Sequence, residues 1–281
     1  MIARAHAILS GAALERALAA RREAGAPPPD AVVIVDVLRA TTTLVHAFAH
    51  GARSMRAFAD ADVAHRAAAE LPPGTALLCG ERGGLRPPGF DLGNSPREYV
   101  SDFVRGRELH MMTSNGTRAF TRTREARRQL AAAFVNAGAT VRRLRALAAT
   151  PPPEGETPPA SFDAWLVAAG KDDGPSDEDT ACVLELLSAL ASGTPAFAAS
   201  IGPGDEGSIE AVRSAGLGEP ERLAQFLAGT EHGRALVALD FTFARDIADA
   251  ARRDAFDVVP EGRGGTLDAV ARMGPAAARP A

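Results

Sequence analysis

Short runs of β-branched and aliphatic residues alternate along the chain with longer alanine-rich stretches whose apolar positions recur every three or four residues. That alternation of strand-like and helix-like patterning is the signature of an α/β protein. The clearest strand is Ala31–Val35 (AVVIV), apolar at every position as a buried strand should be, and set off by Pro27-Pro28-Pro29-Asp30. Further strands are predicted over Ala3–Leu9, Ser54–Ala59, Thr75–Cys79, Leu109–Thr113, Ala132–Val135, Asp163–Ala168, Thr194–Ala199 and Phe256–Val259. Helices are predicted over Ala12–Glu23, Thr42–Ala49, Ala61–Glu70, Thr117–Arg128, Thr140–Ala149 and Glu178–Ala191. Four more follow at Ser208–Ala215, Pro220–Leu227, His232–Leu239 and Phe243–Arg253. The rhythm continues across the proline-rich segment Thr150–Ala160, which therefore reads as a surface loop. The expectation is a single α/β/α domain over residues 1–273, with a disordered tail at 274–281.

Composition narrows the class of function. The 281 residues carry 31 Lys+Arg against 35 Asp+Glu, a formal net charge of −4, which argues against a protein that coats nucleic acid. Twelve Phe, one Tyr and one Trp leave little material for stacking on bases. All but one of the basic residues are arginine, the exception being Lys171, and the bias reads as genome composition. No uncharged apolar run reaches the length of a membrane span, and Arg4, His6 and Glu15 interrupt the start, so a soluble cytoplasmic protein is expected. Cys79 and Cys182 stand far apart with no CxxC spacing and read as small buried residues.

Four constellations follow predicted strands. In AVVIVDVLRATTT the strand delivers Asp36 to its carboxyl end, and Arg39, Thr41, Thr42 and Thr43 open a helix. Ligands of open α/β sheets collect there, and a helix start with hydroxyls suits an anion, with Mg²⁺ bridging it to Asp36. The aspartyl-phosphate phosphatases of the haloacid dehalogenase type need a second Asp two places on, where Leu38 stands. In CGERGGLRPPGFDLGNSPREY, Glu81 and Asp91 supply hard oxygens, Arg82 and Arg86 supply anion-pairing groups, and glycines permit close approach of backbone. In MMTSNGTRAF, the run Ser114-Asn115-Gly116-Thr117-Arg118 repeats the design of hydroxyls and an arginine at a helix start. In AAGKDDGPSDEDT, Glu178 and Asp179 open a helix, either as favourable charges in its first turn or as metal-holding and water-activating groups. The sequence Gly202-Pro-Gly204-Asp-Glu-Gly207 matches a dinucleotide fingerprint only literally, because Pro203 and the acidic pair oppose a pyrophosphate. The six histidines show no metal-ligand spacing.

Taken together, DVLRATTT, GERGG…PGFDLGNSPREY, TSNGTRAF, FVNAGA at 134–139, AG…EDT at 169–180 and HGRALVALDF…DIADAARRDAFDVVP at 232–260 resemble the 2-phosphosulfolactate phosphatase family. The resemblance implies a three-layer α/β/α fold with a central mixed, largely parallel sheet. It also implies a Mg²⁺-dependent phosphatase that converts 2-phospho-3-sulfolactate to 3-sulfolactate, a step of coenzyme M biosynthesis. On that basis Asp36, Arg39, Glu81 and Asp179 are expected to be catalytic, and Asp36, Glu81, Asp91 and Glu178 to hold the metal. Substrate contacts are expected from Thr41, Thr42, Arg82, Arg86, Ser114, Asn115, Gly116, Thr117, Arg118 and Asn136, with Arg82 or Arg86 facing the carboxylate or sulfonate. The partner is then a small phosphorylated anion, with neither nucleic acid nor membrane involved, and a homodimer is among the assemblies left open. Two alternatives stay open: a phosphatase for another phosphorylated hydroxyacid, and a non-catalytic binder of small dianions.

Overall fold

A computed structural model of the chain describes residues 2–150, 161–194, 196–203 and 206–269. The N-terminal half runs β1 (Ile2–Ile8), α1 (Gly11–Glu23), β2 (Ala31–Val35), α2 (Ala40–Ala49), β3 (Ser54–Ala57), α3 (Ala61–Ala69), β4 (Ala76–Gly80) and α4 (Ser101–Val104). It continues through β5 (Glu108–Met112), α5 (Gly116–Arg122), β6 (Gln129–Ala132), α6 (Ala137–Ala149), β7 (Ser161–Ala168) and α7 (Asp177–Ser192). The remainder is β8 (Ala198–Ile201), α8 (Glu206–Ala215), α9 (Pro220–Gly229), α10 (Glu231–Leu239), α11 (Ala244–Ala250), β9 (Pro260–Arg263) and β10 (Thr266–Ala269). The expected proline-rich loop and C-terminal tail lie outside the described residues.

All the strands join one sheet in the order β4-β5-β3-β10-β9-β6-β2-β7-β1-β8. Pairing is parallel except where the β9–β10 hairpin joins β6 and β3. Every residue of β2 is buried, as the unbroken apolar run requires of a central strand flanked on both faces. Its two faces serve different layers. Val33 and Val35 pack with Val141 and Leu144 of α6 and Val183 and Leu186 of α7, while Val32 and Ile34 pack with Leu14 of α1, Leu44 and Phe48 of α2 and Phe120 of α5. The result is a three-layer α/β/α arrangement with a mixed, mostly parallel sheet.

The hairpin decides where the carboxyl ends of the strands point. Because β6–β9, β9–β10 and β10–β3 are each antiparallel, β3, β4 and β5 run opposite to β6, β2, β7, β1 and β8. In a flat sheet the loops after β2 and β5 would leave from opposite edges. Here α5 touches both β2 and β3, and Gly116 at its start lies against the Asp36 carboxylate. The sheet therefore curls around α2 and α5, and the loops after both sets of strands meet.

Several boundaries differ from the sequence expectation for identifiable reasons. The helix expected over Thr117–Arg128 stops at Arg122, because the Gln129 amide donates to Phe120 O at 2.6 Å and Thr123 Oγ1 donates to Ala119 O at 2.7 Å, which satisfies its last turn. The following strand starts at Gln129 instead of Ala132, and the chain turns at Ala133, whose N–H donates to Asn136 Oδ1. The strand expected at Phe256–Val259 is instead the pair β9 and β10, joined by Gly264 and Gly265, both at positive φ as a two-residue hairpin turn demands. The strand expected over Thr194–Ala199 lies at Ala198–Ile201. No helix among the described residues is long and apolar enough to cross a membrane.

Candidate active site

The loops after β2, β4, β5 and β7, covered by α10, enclose a cavity of about 380 Å³. Its lining includes Asp36, Arg39, Glu81, Asn94, Ser114 and Asn115 on the strand-loop side. Lys171 and Asp172 come from the loop after β7, and His232, Ala235, Leu236 and Leu239 come from α10.

Asp36 leaves the end of β2 and is held by its own helix start. Its Oδ1 accepts the Ala40 N–H at 3.1 Å, while its carbonyl accepts the Thr41 N–H and the Thr41 hydroxyl at 2.9 and 2.8 Å. Its Oδ2 takes no hydrogen bond among the described residues and lies by Gly116, where a Cβ would come to 2.8 Å; only glycine allows that approach. Burial, reinforced by the charges of Glu81 and Glu178 and opposed by His232 and the Ala40 N–H, holds the Asp36 carboxyl up at about 6.

Arg39 is almost wholly buried. Its guanidinium donates to Asp246 at 2.9 Å and to Gly84 O at 2.6 Å, and lies 3.9 Å above the Phe243 ring. The Ser95 hydroxyl donates to the other Asp246 oxygen at 2.7 Å, so the α11 carboxylate ties the loop after β2 to the loop after β4. The Leu38–Arg39 peptide is cis.

Glu81 follows Gly80, whose φ of +127° and close pass to Met112 O (a Cβ would stand 1.8 Å away) let β4 run into the site. Glu81 Oε1 accepts the Ser114 N–H at 2.6 Å, and Oε2 accepts the Gly84 N–H at 2.7 Å and the Ser114 hydroxyl at 3.2 Å. Glu81 thus clamps the β4 and β5 loops together. Asn94 contributes a buried Oδ1 that has no partner among the described residues.

Glu178 and Asp179 are both buried at the start of α7. Glu178 Oε1 lies 3.1 Å from His232 Nδ1, and that bond together with the charges of Glu178 and Asp36 raises the His232 pKa although burial alone would lower it. Asp179 accepts the Val37 N–H at 2.7 Å and the Gly170 N–H at 3.0 Å, spending one oxygen on each of two loops. Burial, with Asp36 and Glu178 nearby, pushes its carboxyl well above the ordinary carboxylate range.

Other expected contacts stand away from the cavity. Thr41 and Thr42 turn their hydroxyls to Asp36 O and Val37 O, the carbonyls of the tight turn after β2. Thr117 Oγ1 donates to Thr113 O, and Asn136 bonds Ala133 N, Ala131 O and Val258 O in the core. Arg82, Arg86 and Arg118 are exposed; Arg86 donates to Asp91 O, and Asp91 Oδ2 accepts the Leu78 N–H, both outside the cavity lining. Sequence reasoning passed over Lys171, His232 and Asp246. Lys171 did carry a signal, as the lone lysine of an arginine-rich chain, and the other two lie inside the 232–260 motif.

Hard oxygens face one cavity here, and the mutual repulsion of Asp36, Glu81 and Glu178 together with the unpartnered Asn94 Oδ1 fits a divalent cation. Among the described residues no three His, Cys, Asp or Glu side chains form a ready metal cage.

Comparison with known proteins gives the arrangement its family. The sequence model described as 2-phosphosulpholactate phosphatase matches residues 19–265. A protein of Synechococcus sp. (strain JA-3-3Ab) is 36% identical over 235 residues, 83% of this chain and 88% of that protein. One of Synechocystis sp. (strain ATCC 27184 / PCC 6803 / Kazusa) is 33% identical over 235 residues, 83% of this chain and 89% of its own length. One of Gloeobacter violaceus (strain ATCC 29082 / PCC 7421) is 36% identical over 234 residues, 83% and 88% of the two chains. All three bear the name "Probable 2-phosphosulfolactate phosphatase". With the match spanning β2 through the hairpin turn, the chain belongs to the 2-phosphosulpholactate phosphatase family.

Proposed function

We propose that the chain is a phosphoric monoester hydrolase that removes phosphate from 2-phospho-3-sulfolactate with Mg²⁺ as cofactor, the step yielding 3-sulfolactate in coenzyme M biosynthesis. The observation that carries the reading is one cavity in which the free oxygen of buried Asp36 and an imidazole oriented by a buried carboxylate converge at the ends of the strands. Family membership supports the substrate.

In this reading the phosphoryl group lies between the Asp36 loop and the Ser114-Asn115 loop. The Arg39 N–H groups not used by Asp246 and Gly84, with the Asn115 amide, take its oxygens. Asp36 Oδ2 orients the attacking water and accepts its proton as the water oxygen bonds to phosphorus. The departing substrate oxygen takes a proton from His232 Nε2, since Glu178 holds the Nδ1 side of the ring. Leu236 and Leu239 shield that exchange from bulk water. Glu81 and Asn94 Oδ1, with Asp36 Oδ1, are the residues that would hold Mg²⁺, leaving Asp36 Oδ2 to the water. When bound, the ion supplies neutralisation of phosphoryl charge. Asp179, with both oxygens taken by backbone N–H groups, positions the Asp36 loop. Free, buried Cys79 and Cys182 support a cytoplasmic location.

The test is phosphate release from racemic 2-phospho-3-sulfolactate with Mg²⁺ and with EDTA, beside phospholactate and phosphoglycolate. Metal-dependent release favouring the sulfonate is expected. Release only from the other phosphoacids would replace the substrate, and thermal stabilisation by these anions without any release would leave a dianion-binding protein.

A further inference from the structure

The proposed substrate carries anionic groups beyond the phosphoryl group, and Arg82 and Arg86, the arginines expected to meet them, are exposed outside the cavity. The cavity lining holds three cationic side chains, and their existing partners separate them. Arg39 is locked to Asp246 in a pair whose side chains are 3% and 2% exposed, so withdrawing it would strand a buried carboxylate. His232 is paired with Glu178, itself 2% exposed. Lys171 Nζ pairs at 2.6 Å with Glu231, whose side chain is 79% exposed. A surface pair of that kind contributes little and is easily exchanged for another anion.

The backbone under Lys171, by contrast, is firmly set. Lys171 and Gly174 exchange both N–H···O bonds, at 3.1 and 2.8 Å, across a tight turn. Within it Asp172 and Asp173 stand at φ +50° and +64°, a region that L residues rarely occupy without support. The support is visible: Asp173 O accepts the Ala12 N–H at 2.9 Å, and Arg122 donates to Asp173 Oδ1 at 2.6 Å. A pinned turn thus carries a flexible ammonium at the cavity wall, facing the apolar side of α10 formed by Ala235, Leu236 and Leu239.

We propose that Lys171 is a specificity-determining residue that reads the second anionic group of the substrate, a carboxylate or sulfonate on the carbon chain, by exchanging Glu231 for it. Glu231 is the resident competitor that keeps the ammonium in place when no such group is present. The inference rests on the hydrolase reading above and adds to it the residue that selects an acidic phosphoester over a plain one.

The experiment compares wild type, Lys171→Met, Lys171→Arg and Glu231→Gln on 2-phospho-3-sulfolactate and on glycerol 2-phosphate, which lacks a second anionic group. In Lys171→Met the ratio of kcat/KM between the two substrates should fall about 10- to 50-fold, the scale of one charge-assisted hydrogen bond, mainly through KM. Lys171→Arg should recover part of the ratio, and Glu231→Gln should tighten binding of 3-sulfolactate. Calorimetric titration with 3-sulfolactate and with inorganic phosphate supplies a readout free of turnover. Selective loss of sulfolactate affinity in Lys171→Met supports the role even if no variant hydrolyses anything, an outcome that sinks only the hydrolase reading. A ratio and relative affinities unchanged in Lys171→Met, or equal losses on both substrates, overturn the role of Lys171 while leaving the hydrolase reading intact.

Discussion

The two walls of the cavity are built on opposite principles. On the β2–α2 side, Asp36, Arg39, Thr41, Thr42 and Thr43 are all buried, and each hydroxyl is committed to a backbone carbonyl. On the side of Lys171 and α10, Glu231 lies in solvent, Lys171 is 38% exposed and Leu239 is 44% exposed. The difference matches what each wall has to do. Groups acting on developing charge at phosphorus gain most when their orientation is set before the substrate arrives. Groups that recognise the rest of the substrate must first let go of something else.

The largest expected effect comes from the reactive oxygen of the rigid wall. Asp36→Asn keeps an acceptor for the Ala40 N–H but removes the base, so phosphate release should drop about 10³-fold. The thermal midpoint should hold or rise, since a carboxyl whose ionisation burial already opposes is being neutralised. Near-wild-type turnover from folded protein would remove Asp36 from the mechanism. Next, Arg39→Ala should cost about 3–5 kcal/mol in urea unfolding, because Asp246 is left buried and unpaired. The Arg39→Ala/Asp246→Ala double variant should regain part of that loss; simple additivity would show that the pair is not coupled.

A smaller effect concerns the helix that carries the rigid wall. Burial, with His50, Arg252 and Arg97, outweighs Asp249 and holds the His46 imidazole of α2 down at about 4, against 6.5 ordinarily. The unfolded chain binds a proton that the folded chain refuses. Stability is therefore fully present above pH 6.5 and is lost as pH falls towards 4, by roughly 2–3 kcal/mol for a shift of this size. His46→Phe should flatten that slope in urea unfolding followed across pH, and an unchanged slope would assign it to other groups. The smallest change is expected from the adaptable wall. Leu239→Ala should shift stability by no more than about 0.5 kcal/mol, as exposed positions usually do, while raising KM a few-fold. A loss as large as that of Arg39→Ala would erase the contrast between the walls.

Much of the reactive wall was legible in the chain, because β2, β4 and β5 are short apolar runs that end in a polar residue. Asp36, Arg39, Glu81, Ser114 and Asn115 follow those runs, and all of them line the cavity. The direction of a hydroxyl was not legible. Thr41 and Thr42 have the composition of an anion-binding helix start, yet the turn after β2 uses both hydroxyls for its own carbonyls. Nor was the far wall: His232 follows no strand-end pattern and reaches the cavity only because α10 folds across it, Asp246 meets Arg39 from α11, and Lys171, although it follows β7, stood out only as the lone lysine.

Local patterning by itself determined the alternation of strands and helices, the buried centre of the sheet at β2 and the residues set at strand ends, because burial on a periodic element is recorded in residue spacing. Tertiary structure alone decided that the two sets of strand ends would face one another. The hairpin around Gly264 and Gly265 reverses the direction of one half of the sheet, and the sheet then curls until Asp36, Glu81 and His232 share one cavity. That juxtaposition depends on pairings between residues more than a hundred positions apart, which no local period encodes.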